Sequence, residues 1–174
     1  QAERLGAVLS GQLGGPPAML GPLIGEMIGV EKTRIAYSED GRWFETDPCY
    51  VFHTVNAYDA PDGTVILDVV VHDRMFSDSK AGPDSKRGGL ERWIVDPEAR
   101  TVRRITIDPT PQEFPRPDER RFGLSYRYAY TMTLTGPFLG AALLKHDMET
   151  GARQVHDFGP NRHPGEFVFV PAHA

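Results

Sequence analysis

Six histidines, a single cysteine and a set of well-separated carboxylates are the side chains of this 174-residue chain that could do chemistry. His53 stands out. It lies in Trp43 to Asp59, WFETDPCYVFHTVNAYD, where the run from Cys49 to His53 predicts a strand with Cys49, Val51 and His53 on one face and Tyr50 and Phe52 on the other. Neutral imidazole is the commonest metal-binding nitrogen, yet a histidine among apolar neighbours is also what a satisfied core residue looks like, and the strand alone leaves both open. His72, in VVVHDRM, alternates with Val70 and reads as a strand-end or loop residue. His146, in KHDMETG, belongs to an outer-hairpin phrase and reads as exposed. His156 and His163 flank a turn near Glu166 without the four-ligand spacing of a zinc site, and His173 is too close to Ala174 to be a well-held ligand. Cys49 has no basic sequence neighbour to activate it and reads as a small buried hydrophobe. Taken alone, Glu113 is a turn carboxylate opening a Pro-rich loop.

The elements that must hold these residues read as β. From about Thr33, runs rich in Val, Ile, Tyr and Phe are separated by Glu39-Asp40-Gly41, Pro61-Asp62-Gly63, Asp96-Pro97 and Glu149-Thr150-Gly151, which are turn signals. Strands are predicted near 33–37, 49–57, 64–73, 89–95, 101–107, 127–134, 140–146, 153–157 and 166–170. Two stretches resist hairpins: Phe76 to Gly89, FSDSKAGPDSKRGG, and Thr110 to Leu124, TPQEFPRPDERRFGL. Both read as long loops, the places where β architectures build sites. The hairpins suit an all-β sandwich, barrel or propeller, and LERWIVDPEARTVRRITI and ALLKHDMETGARQVHDF share a layout of strand, acidic turn and strand, which favours a propeller with a repeated outer hairpin over a sandwich. Residues 1–40 are different: Gly- and Pro-containing, with helix-like apolar spacing around Met19 to Ile28, they read as an irregular, partly helical segment ahead of a β region spanning 41–174.

Composition sets the outer limits. With 40% hydrophobic and 25% charged residues and a formal net charge of −5, neither a disordered chain nor a basic nucleic-acid-binding surface is indicated. A lone cysteine excludes an internal disulfide and fits a reducing, cytoplasmic compartment. The apolar tract from Ala18 to Val30 is broken by Gly21, Pro22, Gly25 and Glu26 and is too short to span a bilayer. The sequence opens on Gln1 with neither Met nor a signal peptide, as expected of a piece of a longer polypeptide.

In order along the chain, WFETDPCYVFHTVNAYD, EFPRPDERRFGLSYRYAY, LLKHDMETG and HDFGPNRHPGEFVFVP resemble successive signatures of the carotenoid cleavage oxygenases, which include apocarotenoid and lignostilbene dioxygenases. The resemblance runs from about Gly41 to Pro171. It implies an all-β chain, several blades of a seven-bladed β-propeller, whose axis carries Fe(II) (Fe2+) on four histidines and uses O₂ to split a conjugated carbon–carbon double bond. His53 falls on the third of those histidines. Glu113 in EFPR matches the carboxylate that orients this third ligand, and Glu166 in PGEFVFVP the one that serves the fourth. Such outer carboxylates fix the tautomer and orientation of ligand imidazoles. Thr54 stands where the family often has proline and Asp59 where it often has glutamate; the other three histidines have no counterpart here.

The resemblance therefore implies an internal to C-terminal segment of a dioxygenase acting on a carotenoid, apocarotenoid or stilbene, which would need the remaining propeller blades of the same polypeptide as its partner. Alone, these 174 residues are expected neither to hold iron stoichiometrically nor to cleave substrate, and to self-associate through exposed apolar faces and strand edges. Tyr50, Phe52, Phe114 and Phe122 are candidates for an apolar tunnel lining as well as for core. Peripheral membrane contact stays open, since carotenoids are lipid-soluble but no strong amphipathic patch is present. The rival reading from another class is a non-catalytic β-rich binding module derived from a propeller. A cupin is a third; it would cluster its histidines on one strand pair, and none flank His53.

Overall fold

The computed structural model describes residues 33–37, 42–73, 88–135 and 138–172, and apart from one short 3-10 turn at Glu119–Arg121 the regular structure among them is β. Strands β1 (Thr33–Tyr37) and β2 (Arg42–Thr46) form an antiparallel hairpin. Next comes a four-stranded meander of β3 (Thr54–Asp59), β4 (Val65–His72), β5 (Gly88–Asp96) and β6 (Thr101–Asp108), paired in that order. A second meander follows with β7 (Gln112–Pro117), β8 (Tyr128–Thr135), β9 (Phe138–Asp147) and β10 (Arg153–Asp157), again paired in sequence order. Two successive four-stranded antiparallel sheets are the blade arrangement of a propeller, and β5–β6 and β9–β10 occupy the outer hairpin in each, as the repeated phrase predicts.

The turns close as their residues dictate. Gly63 and Gly151 take positive φ at 86° and 74°, conformations glycine adopts without a Cβ clash. Asp62 accepts from the Thr64 N–H at 3.0 Å, and Asp96 accepts from the N–H groups of Glu98 and Ala99. Strand β4 is buried along its whole length, so its alternation separates two covered faces rather than core from solvent. Val65, Leu67, Val69 and Val71 join Phe44, Cys49, Ala57, Trp93 and Val95 in one apolar cluster. On the opposite face stand Ile66, Asp68, Val70 and His72, the last three almost completely buried. Burying that apolar cluster is the main stabilising contribution in the first sheet, at roughly 25 cal/mol per Å² of apolar surface.

Several expectations need correction. The predicted strand at 49–57 begins only at Thr54, and Tyr50 makes an isolated bridge with His72. His53 therefore sits at the mouth of β3, where the chain enters the sheet. The Pro-rich stretch from Thr110 to Leu124 is not a loop throughout, because β7 runs through it. Pro115 and Pro117 are tolerated there since β7 is an edge strand with one unpaired side, and the register slips between Glu113 and Arg116. Glu166–Val170 forms no strand; no neighbour among the described residues supplies it a ladder, and Val168 and Val170 are exposed. The hairpin β1–β2 was expected only in its first half. The Phe76 to Gly89 loop lies outside the described residues up to 87, and Gly88 and Gly89 belong to β5. The helix-like spacing near Met19 to Ile28 also lies outside them.

Candidate functional site

The first strand of each sheet delivers one side chain to a shared corner. His53 comes from the entrance of β3, Glu113 from the bulge of β7. At that bulge Phe114 has φ of +54°, an uncommon conformation for a bulky residue, and a local outlier of this kind re-aims the side chains beside it. Its own N–H turns back to donate to Glu113 Oε2 at 2.9 Å. The same oxygen lies 2.7 Å from His53 Nδ1, and Glu113 Oε1 lies 2.8 Å from His72 Nε2. The carboxylate is almost fully buried, His72 is sealed at 1% exposure, and the His53 side chain is 44% exposed.

Electrostatics follow from this geometry. Burial alone would push the Glu113 carboxyl up, but donation from His53, His72 and the Phe114 N–H outweighs it and holds the group below its ordinary value. The hydrogen bond to Glu113 raises the His53 imidazole against the opposing effect of burial, with further help from the charges of Glu113 and Glu166 and opposition from Arg116. Glu113 is a carboxylate and only accepts, so neutral His53 carries its proton on Nδ1 and presents Nε2 as a bare lone pair. A half-exposed imidazole locked in that tautomer by a buried carboxylate is the donor that a metal site requires. The Phe114 ring lies 5.3 Å from the His53 ring and that of Phe52 6.2 Å away, giving the imidazole apolar flanks.

Glu166 reaches the same corner from the C-terminal segment. Its Oε2 accepts from Arg116 of β7 at 2.8 Å, and both side chains are partly exposed. Its hydrogen-bonding partner among the described residues is thus an arginine, while its charge is felt at His53. Among the described residues no group of three or more His, Cys, Asp or Glu side chains is placed to hold a metal ion. His53 fits the role of one ligand, and a complete set would need donors from elsewhere.

With this geometry in view, comparison with known proteins becomes specific. A family model described as retinal pigment epithelial membrane protein matches residues 25–174. A carotenoid cleavage oxygenase of Mycobacterium tuberculosis is 41% identical over 145 residues, covering 77% of this chain and 29% of that protein. The chain belongs to the carotenoid and apocarotenoid cleavage oxygenase family. Another family member, an apocarotenoid-15,15'-oxygenase of Synechocystis, is 31% identical over 132 residues, covering 70% of this chain and 27% of the relative. The crystal structure of cobalt-substituted Synechocystis ACO superposes with a TM-score of 0.70 at 29% identity over 81% of this chain and 32% of that one. The chain thus spans about 29% of the length of the first of these relatives, and its two meanders are part of the family's propeller.

Sequence reasoning passed over His72, which helps build this corner, and Asn56 and Tyr126, which join the segment ahead of β8 to the first sheet. His72 does end β4, as expected, but it is buried there and holds Glu113. Its alternation with Val70 was the available signal, but its partner is 41 positions away. Asn56, fully buried in β3, donates to the carbonyls of Arg121 and Leu124 and accepts from the N–H of Gly123 at 3.0 Å, tying the segment ahead of β8 to the first sheet. Tyr126 donates to Asp68 Oδ2 at 2.7 Å, and Asp68 is also gripped by Arg92 through two nitrogens. His146, expected at the surface, is 2% exposed because β9 turns Leu144 and His146 to its covered face. His156 is exposed, with its ring edge-on to Phe158. Tyr50 and Cys49 are buried core residues, and Phe122 is half-buried.

Proposed function

We propose that the protein containing this chain is a non-haem Fe(II) dioxygenase that cleaves a conjugated carbon–carbon double bond of a carotenoid, apocarotenoid or stilbene with O₂. In this reading His53 is one of four imidazole ligands, Glu113 orients it, and Glu166 serves another ligand histidine supplied by blades this chain does not span. The observation that carries it is the 2.7 Å contact between Glu113 Oε2 and His53 Nδ1, which leaves Nε2 for the metal. The names of relatives cover the substrate range: carotenoid cleavage oxygenase, apocarotenoid oxygenase and, in Chaetomium globosum, resveratrol cleavage oxygenase at 34% identity over 104 residues.

When bound, Fe(II) would supply open positions at which O₂ is activated beside the substrate. Glu113 keeps the proton of His53 on Nδ1 and fixes the ring plane. Phe52 and Phe114 exclude water from the flanks of the imidazole and offer apolar contact to a polyene or stilbene. Glu113 and Glu166 would carry negative charge outside the ligand set, so that neutral imidazoles would hold the metal. A cytoplasmic location and contact with a lipid surface during uptake of an apolar substrate accompany this reading.

The test is His53→Ala in the full-length protein, with iron content and cleavage product both measured. Loss of iron occupancy together with cleavage is expected. Full occupancy and unchanged cleavage would overturn the role of His53 as a ligand, and a wild-type protein with neither iron nor cleavage would return the segment to the class of binding modules. For the isolated 174 residues, the same reading expects no stoichiometric iron.

A further inference from the structure

The Glu113 carboxylate is held at both oxygens, by a different histidine at each. His53 and the Phe114 N–H share Oε2, while His72 Nε2 meets Oε1 at 2.8 Å. We propose that His72 is a positioning residue for the metal site, acting through Glu113 on His53. The inference rests on the reading of His53 as a ligand and adds a residue that the reading does not need.

Three observations support it. The last torsion of a glutamate side chain is soft, with broad wells, so donors on one oxygen alone leave the carboxylate plane free to swing. A donor on the opposite oxygen removes that freedom and fixes the direction in which Oε2 points at Nδ1. Second, the His72 ring is itself fixed from several sides. Its backbone makes a reciprocal pair with Tyr50, His72 N–H to Tyr50 O at 2.8 Å and Tyr50 N–H to His72 O at 2.7 Å, and the Phe52 ring stands edge-on 5.9 Å away. Third, its ladder partner across β5 is Gly88, where a Cβ would lie 3.2 Å from His72 Nδ1, so the glycine leaves the room the imidazole occupies. The Tyr50 pairing also anchors the segment just ahead of His53, and the Val70 N–H donates to His53 O at 3.2 Å. Backbone and carboxylate contacts thus tie both histidines to the end of β4. His72 itself is no ligand candidate, since it is sealed from solvent and its Nε2 is taken up by Glu113.

The proposal predicts that Nε2 of His72 carries the proton, because an ionised carboxylate cannot donate. It also predicts that an amide able to reach Oε1 can replace the imidazole. The experiment uses full-length apoprotein titrated with Co²⁺ alone, comparing wild type, His72→Leu, His72→Gln, Glu113→Gln and His53→Ala, each checked for native circular dichroism. Outer residues that orient a ligand typically cost ten- to a hundred-fold in metal affinity; at one step further out, His72→Leu should weaken Co²⁺ binding by about tenfold and His72→Gln should recover to within about threefold of wild type.

If His72→Leu binds Co²⁺ like wild type while Glu113→Gln is weakened, His72 merely fills space and the inference fails with the His53 reading intact. If His53→Ala and Glu113→Gln both bind like wild type, the ligand reading fails and takes the inference with it. Failure of His72→Gln to improve on a folded His72→Leu also overturns it. Should His72→Leu not fold, the ¹⁵N shifts of His72 in the wild-type apoprotein decide: a protonated Nε2 agrees, and a bare Nε2 with protonated Nδ1 overturns the proposal.

Discussion

Two buried histidines lie where the sheets meet, each beside a carboxylate, and they behave differently. His72 donates to Glu113, and Glu113 passes that constraint outward to the half-exposed imidazole of His53. His146 lies 3.0 Å from Thr131 Oγ1, whose hydroxyl donates to Gln112 Oε1, and its Nδ1 is 3.7 Å from Asp108 Oδ2. Asp108 is already engaged by Arg153 at 2.9 Å. The Thr131 hydroxyl spends its proton on Gln112, so the His146 Nε2–H is the donor to Thr131 and the circuit closes on itself. The difference teaches that a buried histidine near a carboxylate is not by itself a site. What distinguishes the first corner is an exit: a fixed His72–Glu113–His53 chain that ends on a half-exposed imidazole.

Glu113→Gln should produce the largest effect. The amide offers one acceptor and one donor pair where three donors converge, so a buried N–H is left unpaired. We expect metal affinity of the full-length protein to fall ten- to a hundred-fold, and stability in urea to drop by about 1–3 kcal/mol. The matching change in the closed corner, His146→Leu, should leave metal affinity unchanged and lower stability by roughly 1 kcal/mol through the lost Thr131 bond. Metal loss in His146→Leu equal to that in Glu113→Gln would erase the distinction between the corners.

The closed corner should reveal itself through pH. Burial holds the His146 imidazole below its ordinary value, Arg153 adding to this and the Asp108 charge opposing it. The unfolded chain therefore takes up this proton at higher pH than the folded one. Stability gained by keeping His146 neutral is complete above about pH 6.5, the unfolded value, and is lost as pH falls toward and through the lowered folded value. Urea titrations on either side of that window should show the loss in wild type and a smaller one in His146→Gln. An identical loss in the variant would place the pH response elsewhere. The smallest effect belongs to Arg116→Gln. Its bond to Glu166 joins two partly exposed groups, and such pairs contribute about 0–1 kcal/mol.

The same contrast shows how much of the molecule was legible in the residues. Hairpins β3–β4, β5–β6 and β9–β10 were readable because Pro61-Asp62-Gly63, Asp96-Pro97 and Glu149-Thr150-Gly151 are local signals with local causes. Strand β7 was not, because Pro115 and Pro117 read as breakers; only its edge position and bulge make them acceptable. The same bulge creates the geometry of Glu113. Nothing in QEFPRP alone says that Phe114 turns to positive φ and re-aims the carboxylate. The ordered signatures led to His53 and Glu113, and the structure brings these two together. His146 was misread because KHDMETG looks like a solvated turn phrase, while the period of β9 turns that histidine to the covered face beside Leu144. His72 was missed for a different reason: its orientation follows from alternation, but its task depends on a partner brought in by the second sheet. Long-range pairing of this kind has no signature at short sequence separation.

The central claim is that Glu113 holds the proton of His53 on Nδ1 and leaves Nε2 bare. It can be read directly from the ¹⁵N shifts of histidine-labelled, metal-free full-length protein, recorded near pH 9, well above the ordinary imidazole range, so that the ring is neutral. The account predicts a His53 signal with protonated Nδ1 and unprotonated Nε2, shifting toward a mixture of tautomers in Glu113→Gln. A protonated Nε2 with bare Nδ1 in the wild type would contradict it, because the nitrogen a metal needs would then carry the proton.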